Sequence, residues 1–366
     1  MTARTAATAA TASTAHTADK PIGILYEHPE WFKLLFAELD RRGIAYDPLF
    51  VDEHFFDPAD RESRHALVVN RVSPSSYMRG HAGSILYARQ YLAYLRDVGT
   101  PTINGYDAYA LETSKALQLL LFERLGVRYP RARPVNHPSQ LVPAAQGLTY
   151  PVIVKPNVGG SGALMQRFDT PDQLAAGASG IDFGVDRTAL VQEYLAPEDG
   201  AIVRVEILDG EYLYAIKIFT DPTEGFNLCP ADICQVPIPQ TMQPTASAAA
   251  LAAALAASPD GDPQEGEACD FGAAALTATK KPLKIEAYSP PRAVVEDAIR
   301  LVKAGGLDVG GVEYLVAARD GLPYFYDVNA LSNFVTDAVN VVGFDPTARF
   351  VDFIEQRAGI RHLAFA

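Results

Sequence analysis

VIVKPNVGGSGALM, residues 152–165, combines a short apolar strand, a lysine and a loop with three glycines. Glycines let backbone N–H groups approach an anion, and Lys155 adds a point charge, so the stretch suits a polyphosphate. No Gly-Lys-Ser/Thr follows, and the next residues, ALMQRF, read as a strand, which excludes a Walker loop. Taken alone, the pattern also fits a glycine-rich hairpin turn with a surface lysine.

A second informative stretch is GGVEYLVAARDGLPYFYDVNALSNF, residues 310–334. Asp327 and Asn329 are two apart, so on a strand they share a face. A three-residue loop at 319–321 would place Glu313 opposite Asp327, whereas a two-residue Asp-Gly turn would put them on opposite faces. The first register gathers two carboxylates and a carbonyl oxygen, which suits Mg²⁺ completed by phosphate oxygens. The second leaves Glu313 as an exposed strand residue.

Composition limits the classes of protein. A chain of 366 residues with 48% hydrophobic residues predicts two or three folded domains and excludes wholesale disorder. The formal charge, 31 − 44 = −13, argues against phosphate-driven nucleic-acid binding. Three sparse cysteines indicate a reducing compartment, and neither a membrane span nor a secretory signal is recognisable, so we expect a cytoplasmic protein.

The chain changes character along its length. Strand and helix patterns alternate over residues 20–105, which suggests a small parallel sheet, and antiparallel strands follow over 151–220. A helix at 292–304, the hairpin and a last helix at 346–357 would close a third lobe. The predicted divisions are a disordered tail (1–19), an N-terminal α/β domain (20–110), a central subdomain with the glycine loop (111–195) and a C-terminal subdomain (196–366) with a mobile insertion at about 244–278.

In this order the motifs resemble the ATP-grasp carboxylate-amine ligases, the superfamily of glutathione synthetase, D-alanyl-D-alanine ligase and ribosomal-protein glutamate ligases. The resemblance covers residues 104–335. It implies a fold of class α/β and α+β with three lobes, in which an N-terminal parallel domain precedes two α+β domains that grip ATP. Its cofactors would be ATP and Mg²⁺, with Mn²⁺ as the alternative metal.

The resemblance also implies roles for the matched positions. The nucleotide phosphates would contact Lys115, Lys155 and the glycine flap, and a hinge would bind the adenine. Arg204 would face the transferred phosphoryl group and the substrate carboxylate, and Lys217 stands where relatives often have another cation. The implied set is Lys115, Lys155, Gly159, Gly160, Ser161 and Gly162 for phosphates, Gln192, Glu193, Tyr194 and Leu195 for adenine, Glu198 or Asp199 for ribose, and Glu313, Asp327 and Asn329 for metal.

Three further residues are predicted to contact substrate. Arg71 lies just beyond a strand of the first sheet, where open α/β sheets bind ligands, and would hold a carboxylate. Ser332 and Asn333 follow the Asp327 strand and would contact the acyl acceptor. Relatives commonly have glutamate at the Asp327 position, and residues 220–285 have little resemblance to the family, so the substrate is not identified.

The implied reaction is phosphorylation of a carboxylate by ATP, followed by attack of an amine that releases phosphate. Lys155 and Arg204 would act by charge, because phosphoryl transfer requires positioning and neutralisation more than a protein nucleophile. The substrates would be small-molecule or peptide carboxylates and amines, with no nucleic-acid or membrane partner, and a homodimer is compatible with this class. The alternatives are an ATP-grasp kinase and a nucleotide-binding regulatory protein without turnover.

Overall fold

The computed structural model describes residues 20–160, 162–220 and 283–360. The predicted tail at 1–19, the insertion at 244–278 and Ser161 lie outside the described residues. In the described ranges, no helix is long and apolar enough to cross a bilayer.

The first sheet is parallel, as predicted, with strand order β2-β1-β3-β4. Its central strands, β1 and β3, bury apolar side chains on both faces, which requires helices on each side. Its elements are β1 (Ile22–Tyr26), α1 (Lys33–Arg42), β2 (Tyr46–Phe50), β3 (Leu67–Arg71), α2 (Ala82–Asp97) and β4 (Thr102–Ile103).

The second sheet is antiparallel with order β5-β8-β6-β7, and the glycine loop joins β6 to β7 as the sequence predicted. A compact apolar core beneath it contains Val152, Val154 and Leu174. This part of the chain comprises α3 (Tyr106–Glu112), α4 (Lys115–Leu125), β5 (Ala132–Val135), α5 (Leu141–Ala145), β6 (Val152–Pro156), β7 (Gln166–Phe168), α6 (Pro171–Gly177) and β8 (Ala189–Glu193).

The third sheet is antiparallel with order β11-β10-β9-β12-β13. Because side chains alternate along a strand, Val203 and Val205 enter the core on one face, whereas Arg204 lies on the other. The remaining elements are β9 (Ala201–Leu208), β10 (Glu211–Phe219), β11 (Ile285–Ala287), α7 (Arg292–Ala304), β12 (Val309–Val316), β13 (Pro323–Asn329), α8 (Ala338–Val342) and α9 (Pro346–Ala358).

In the β12–β13 hairpin, Glu313 pairs with Asp327 as predicted, but the loop and the register differ from the prediction. The backbone N–H of Ala317 bonds to the Leu322 carbonyl at 3.0 Å, so four residues form the loop and the predicted three-residue loop is wrong. That register alone would place Glu313 opposite Tyr326. A bulge at Tyr326 shifts the register by one residue, and Glu313 therefore pairs with Asp327, as predicted.

Two helices pack against a sheet that belongs to a different predicted domain from their own. Helix α4, from the predicted central segment, buries Leu121 and Phe122 against the third sheet and α7. Helix α9, from the predicted C-terminal segment, buries Phe350 and Ile354 against the first sheet and α1. Each of these helices therefore contributes to a core formed by a different sequence segment. The domain bounds stay a prediction.

A buried asparagine joins the first sheet to the third. The side-chain amide of Asn104 donates to the carbonyls of Val309 at 2.7 Å and Ala330 at 2.6 Å. Its side-chain oxygen accepts from the backbone N–H groups of Asp308 at 2.8 Å and Val309 at 3.2 Å. Asn104 has φ 52°, which asparagine tolerates better than most residues. One side chain thus satisfies four backbone groups at the junction.

We expect Asn104→Ala to lower the free energy of unfolding by about 3 kcal/mol, because it removes four hydrogen bonds and leaves buried backbone groups unpaired. Urea unfolding would measure the loss, with the exposed Asn136→Ala as the matched control. An equal, small effect in both variants would contradict the role of Asn104.

Candidate active site

A cavity of about 280 Å³ lies between the second and third sheets, with the loop after β3 at one end. Thirteen of the residues predicted for the site line it. They are Lys115, Lys155, Gly159, Gly160, Gly162, Gln192, Tyr194, Leu195, Arg204, Glu313, Asp327, Asn329 and Asn333.

The two predicted lysines come from different elements and are brought together by Asn157. The backbone N–H of Lys115, at the start of α4, bonds to the Asn157 carbonyl at 3.1 Å, and the next N–H bonds to Asn157 Oδ1 at 2.8 Å. Lys115 Nζ then reaches the Gly159 carbonyl at 3.1 Å and Asp327 Oδ1 at 3.4 Å. Sequence reasoning missed Asn157, whose only signal is its place two residues after Lys155.

Lys155 lies in β6 and is only 4% exposed. Burial and, next, the charge of Lys115 lower the pKa of its ammonium to about 8 against the opposing effects of Asp327 and Glu313. A cation that is stripped of water and repelled by a second cation favours an anionic ligand. The electrostatics of this end of the cavity therefore suit phosphate.

Arg204 is held on three sides. Its Nε donates to Glu206 Oε1 at 2.6 Å, its Nη1 to Glu313 Oε1 at 2.9 Å and its Nη2 to Ser332 Oγ at 3.3 Å. The space for the guanidinium exists because residue 311 is glycine, since a Cβ there would lie 2.4 Å from Nη2. Glycine is therefore required at residue 311 because any side chain there would overlap the Arg204 guanidinium.

The acidic hairpin presents oxygen ligands to the cavity. Glu313 pairs directly with Asp327 across the two strands, and Asn329 Nδ2 lies 3.5 Å from Glu313 Oε1. Burial raises the pKa of Glu313, with Arg204 opposing and Asp327 reinforcing the shift. A hard cation would relieve this repulsion.

The donor set fits Mg²⁺. No group of three or more histidine, cysteine or acidic side chains converges within the described ranges. Mg²⁺ is commonly held by one or two carboxylates together with water and substrate phosphates, so Glu313, Asp327 and Asn329 suffice.

Lys217 is a correction to the predicted site. It pairs with Val203 across β9 and β10, whereas the cavity residue Arg204 pairs with Ile216, so strand alternation puts Lys217 on the opposite face. Its ammonium forms an ion pair with Asp199 and lies 4.7 Å from the Tyr288 ring. The prediction that Lys217 faces the nucleotide is wrong.

Three other predicted residues lie behind the cavity or beside it. Arg71 is enclosed by the rings of Phe32 and Phe350, at 5.2 and 5.3 Å, and donates to the Ser332 carbonyl at 2.5 Å. Arg71 and Ser332 do not line the cavity, so they support Arg204 rather than meet substrate. Glu198 is exposed and outside the lining.

Glu193, predicted to contact adenine, also lies outside the cavity lining. Its carboxylate accepts from the Thr149 N–H at 2.8 Å and from Arg131 Nε at 2.9 Å, and the residue is not in the lining. Its neighbours Gln192, Tyr194 and Leu195 do line the cavity, and their contact with adenine stays a prediction.

Sequence reasoning missed further residues of the cavity lining, among them Trp31, Ser73, Ser75 and Glu112. Trp31, Ser73 and Ser75 come from the first sheet's loops, and the serines follow β3 as ligand-binding loops of α/β sheets do. Glu112, at the end of α3, is 4% exposed and accepts a hydrogen bond from the Ala330 N–H. No motif identifies Glu112, because a single acid on a short amphipathic helix reads as solvated.

Glu112 makes stability depend on pH. Burial raises the pKa of its carboxyl from 4.5 to about 7, with the Ala330 N–H opposing and Asp327 reinforcing the shift. As pH rises from 4.5 to 7, the unfolded chain releases this proton first, so folding loses about 3 kcal/mol over that range. Glu112→Gln removes this dependence.

Urea unfolding of the metal-free and nucleotide-free protein at pH 5 and pH 8 would check this, with the exposed Glu62→Gln as control. We expect the stability of Glu112→Gln relative to wild type to be greater at pH 8. Parallel pH profiles for the two proteins would contradict it.

Comparison with known proteins gives both sequence relatives and structural neighbours. The D-alanine–D-alanine ligase of Maridesulfovibrio salexigens is 30% identical over 217 residues, which are 54% of this chain and 68% of the relative. The ligase of the same name from Geobacter sulfurreducens is 30% identical over 122 residues, 33% of this chain, and the chain spans only 37% of that relative's length. No family model matches.

Solved structures extend the similarity across the chain. The ATP-grasp ligase PsnB, complexed with a precursor variant, Mg and ADP, has TM-score 0.59 at 18% identity and covers 93% of this chain and 99% of its own. D-alanine–D-alanine ligase from Bacillus anthracis, complexed with ATP, has TM-score 0.58 at 15% identity, with 93% and 96% covered. The three sheets thus form an ATP-grasp fold.

Proposed function

Because this chain belongs to the ATP-grasp carboxylate-amine ligases, we propose that it joins a carboxylate to an amine at the expense of ATP. The observation that carries the proposal is the convergence of Lys115, Lys155 and Arg204 with the Glu313–Asp327 pair in one cavity. These groups match the two needs of phosphoryl transfer, which are neutralised phosphate charge and a metal held by few protein oxygens.

The proposed first step is transfer of the γ-phosphoryl group to the substrate carboxylate. Lys115 and Lys155 would bind the nucleotide phosphates, and Arg204 would stabilise charge on the transferred group and the acceptor carboxylate. Glu313, Asp327 and Asn329 would hold Mg²⁺, which neutralises phosphate charge when it is bound. The adenine would occupy the side lined by Gln192, Tyr194 and Leu195, residues that combine apolar surface with polar edges.

The proposed second step is attack of the amine on the acyl phosphate, with release of phosphate. A side chain at Gly159 would meet Tyr77, and one at Gly160 would meet Ser75, so the two glycines lie against the first sheet's loop. The glycine loop thus lies over the cavity and would exclude water, which otherwise hydrolyses an acyl phosphate.

Solved neighbours include a D-alanine–D-alanine ligase and an ATP-grasp ligase complexed with a precursor peptide. We propose a small-molecule or peptide carboxylate and an amine as substrates, in the cytoplasm. A screen of ADP release over paired amino acids, peptides and small carboxylates, with mass spectrometry of the product, tests the proposal. An amide product supports a ligase, whereas a stable phosphorylated product indicates a kinase, and no release with any pair contradicts both.

We expect Lys155→Met to reduce substrate-dependent ADP release at least about 100-fold, because it removes a buried charge at the phosphates. Lys217→Met is the matched control, since Lys217 is a strand lysine on the opposite face, and it should stay within about threefold of wild type. Equal losses in the two variants would contradict the assignment of Lys155.

We expect Gly311→Ala to displace the Arg204 guanidinium and lower the rate of ADP release about 100-fold, with a loss of stability of about 1–3 kcal/mol from overpacking. Gly83→Ala is the control, because a Cβ at residue 83 meets nothing within 4 Å. ADP release and thermal unfolding of both variants give the comparison. Unchanged turnover in Gly311→Ala would show that the position of Arg204 is not critical.

A further inference from the structure

Three acids line the cavity, and Glu112 differs from the other two. Asp327 has Lys115 within 3.4 Å, and Glu313 has Arg204 within 2.9 Å. Among the described residues, no lysine, arginine or histidine forms an ion pair with Glu112. Its one hydrogen-bond partner there is the Ala330 N–H, which bonds to Oε2.

The position of Glu112 makes this isolation costly. The residue is only 4% exposed, and a buried carboxylate without a cation loses much of its hydration. Burial raises the pKa of its carboxyl to about 7 even though Lys115 and Arg204 oppose the shift, while Asp327 adds to it. A ligand that brings N–H donors and positive charge to this carboxyl would remove the cost.

The fold also fixes where Glu112 stands. Ala330, whose N–H holds the carboxylate, directly follows Asn329 at the end of β13. Three residues after Glu112, Lys115 begins α4 and contacts Asp327. The carboxylate is therefore beside the oxygen ligands of the proposed metal site, on the same wall of the cavity as the lysine predicted to bind phosphate.

A metal ion or a phosphate is a poor occupant for this position. A divalent cation would need several oxygens, and the other two acids of the lining, Glu313 and Asp327, already belong to the proposed Mg²⁺ site. A phosphate or a carboxylate would be repelled by Glu112. An ammonium group provides three donors and one positive charge, which is what the carboxylate lacks.

We propose that Glu112 binds the nitrogen of the amine substrate, as its ammonium form, beside the site of carboxylate phosphorylation. This inference rests on the proposed ligase function and assigns the amine subsite to a residue that no motif identifies. Glu112 thereby sets the chemical class of the second substrate as a primary amine that arrives protonated and releases one proton to water before its nitrogen attacks the acyl phosphate.

The test separates the two half-reactions. Hydroxylamine, a neutral nucleophile, traps an acyl phosphate as a hydroxamate without needing an anionic subsite. Glycinamide and ammonium serve as cationic amine probes that carry no carboxylate of their own. Wild type, Glu112→Gln, Glu112→Asp and the exposed control Glu62→Gln are compared with ATP, Mg²⁺ and each carboxylate of an amino-acid and dipeptide panel. Glutamine keeps an oxygen for the Ala330 N–H, so folding is preserved, and thermal unfolding verifies it.

We expect Glu112→Gln to form hydroxamate within about twofold of wild type while its KM for glycinamide or ammonium rises at least about tenfold. Glu112→Asp should recover part of the loss because it restores the charge. An unchanged KM for the amine in Glu112→Gln would overturn the inference, and so would an equal loss of hydroxamate, which would place Glu112 in phosphorylation. Hydroxamate without any amide from either amine probe in wild type would also overturn it. Absence of hydroxamate in wild type would instead refute the proposed ligase function.

Discussion

The buried guanidinium of Arg204 organises the cleft, because a desolvated cation must be surrounded by acceptors in fixed places. Its partners come from two strands of the third sheet, Glu206 on β9 and Glu313 on β12, and from Ser332 after β13. Gly311 leaves the space for it. Each partner is thereby positioned by the same charge, so the acidic hairpin and the buried guanidinium form one unit.

This unit is tied to the first sheet through the backbone. Arg71, from β3, bonds to the Ser332 carbonyl, and its guanidinium lies between Phe32 and Phe350. Asn104 satisfies backbone groups of the third sheet at Val309, where β12 begins, and at Ala330, just after β13. The first sheet therefore contributes to the cleft both through its loops and by fixing the strands that carry the charges.

The net charge of the whole chain is −13, whereas the charge of the cleft lining is slightly positive. Lys115, Lys155, Arg167 and Arg204 line the cavity together with three acids, so the lining has a small excess of positive charge. The acids are not surplus, since two of them are ion-paired with lining cations and would hold the metal. An acidic protein can in this way present a local cationic site to an anionic nucleotide.

The sequence by itself determined the residue types and their local context: the glycine loop between two strands, Lys155 before it, the helix that begins at Lys115 and the Asp-x-Asn pair on one face of a strand. Local patterns specify these because backbone conformation and side-chain alternation depend on near neighbours. Tertiary structure alone decided what depends on strand register and packing between distant segments. The bulge at Tyr326 aligned Glu313 with Asp327, the face of β10 turned Lys217 away, and the burial of α3 against β13 brought Glu112 into the cavity. A shift of one residue reverses a side chain's face, and burial changes a carboxyl's charge, so neither could be read from spacing.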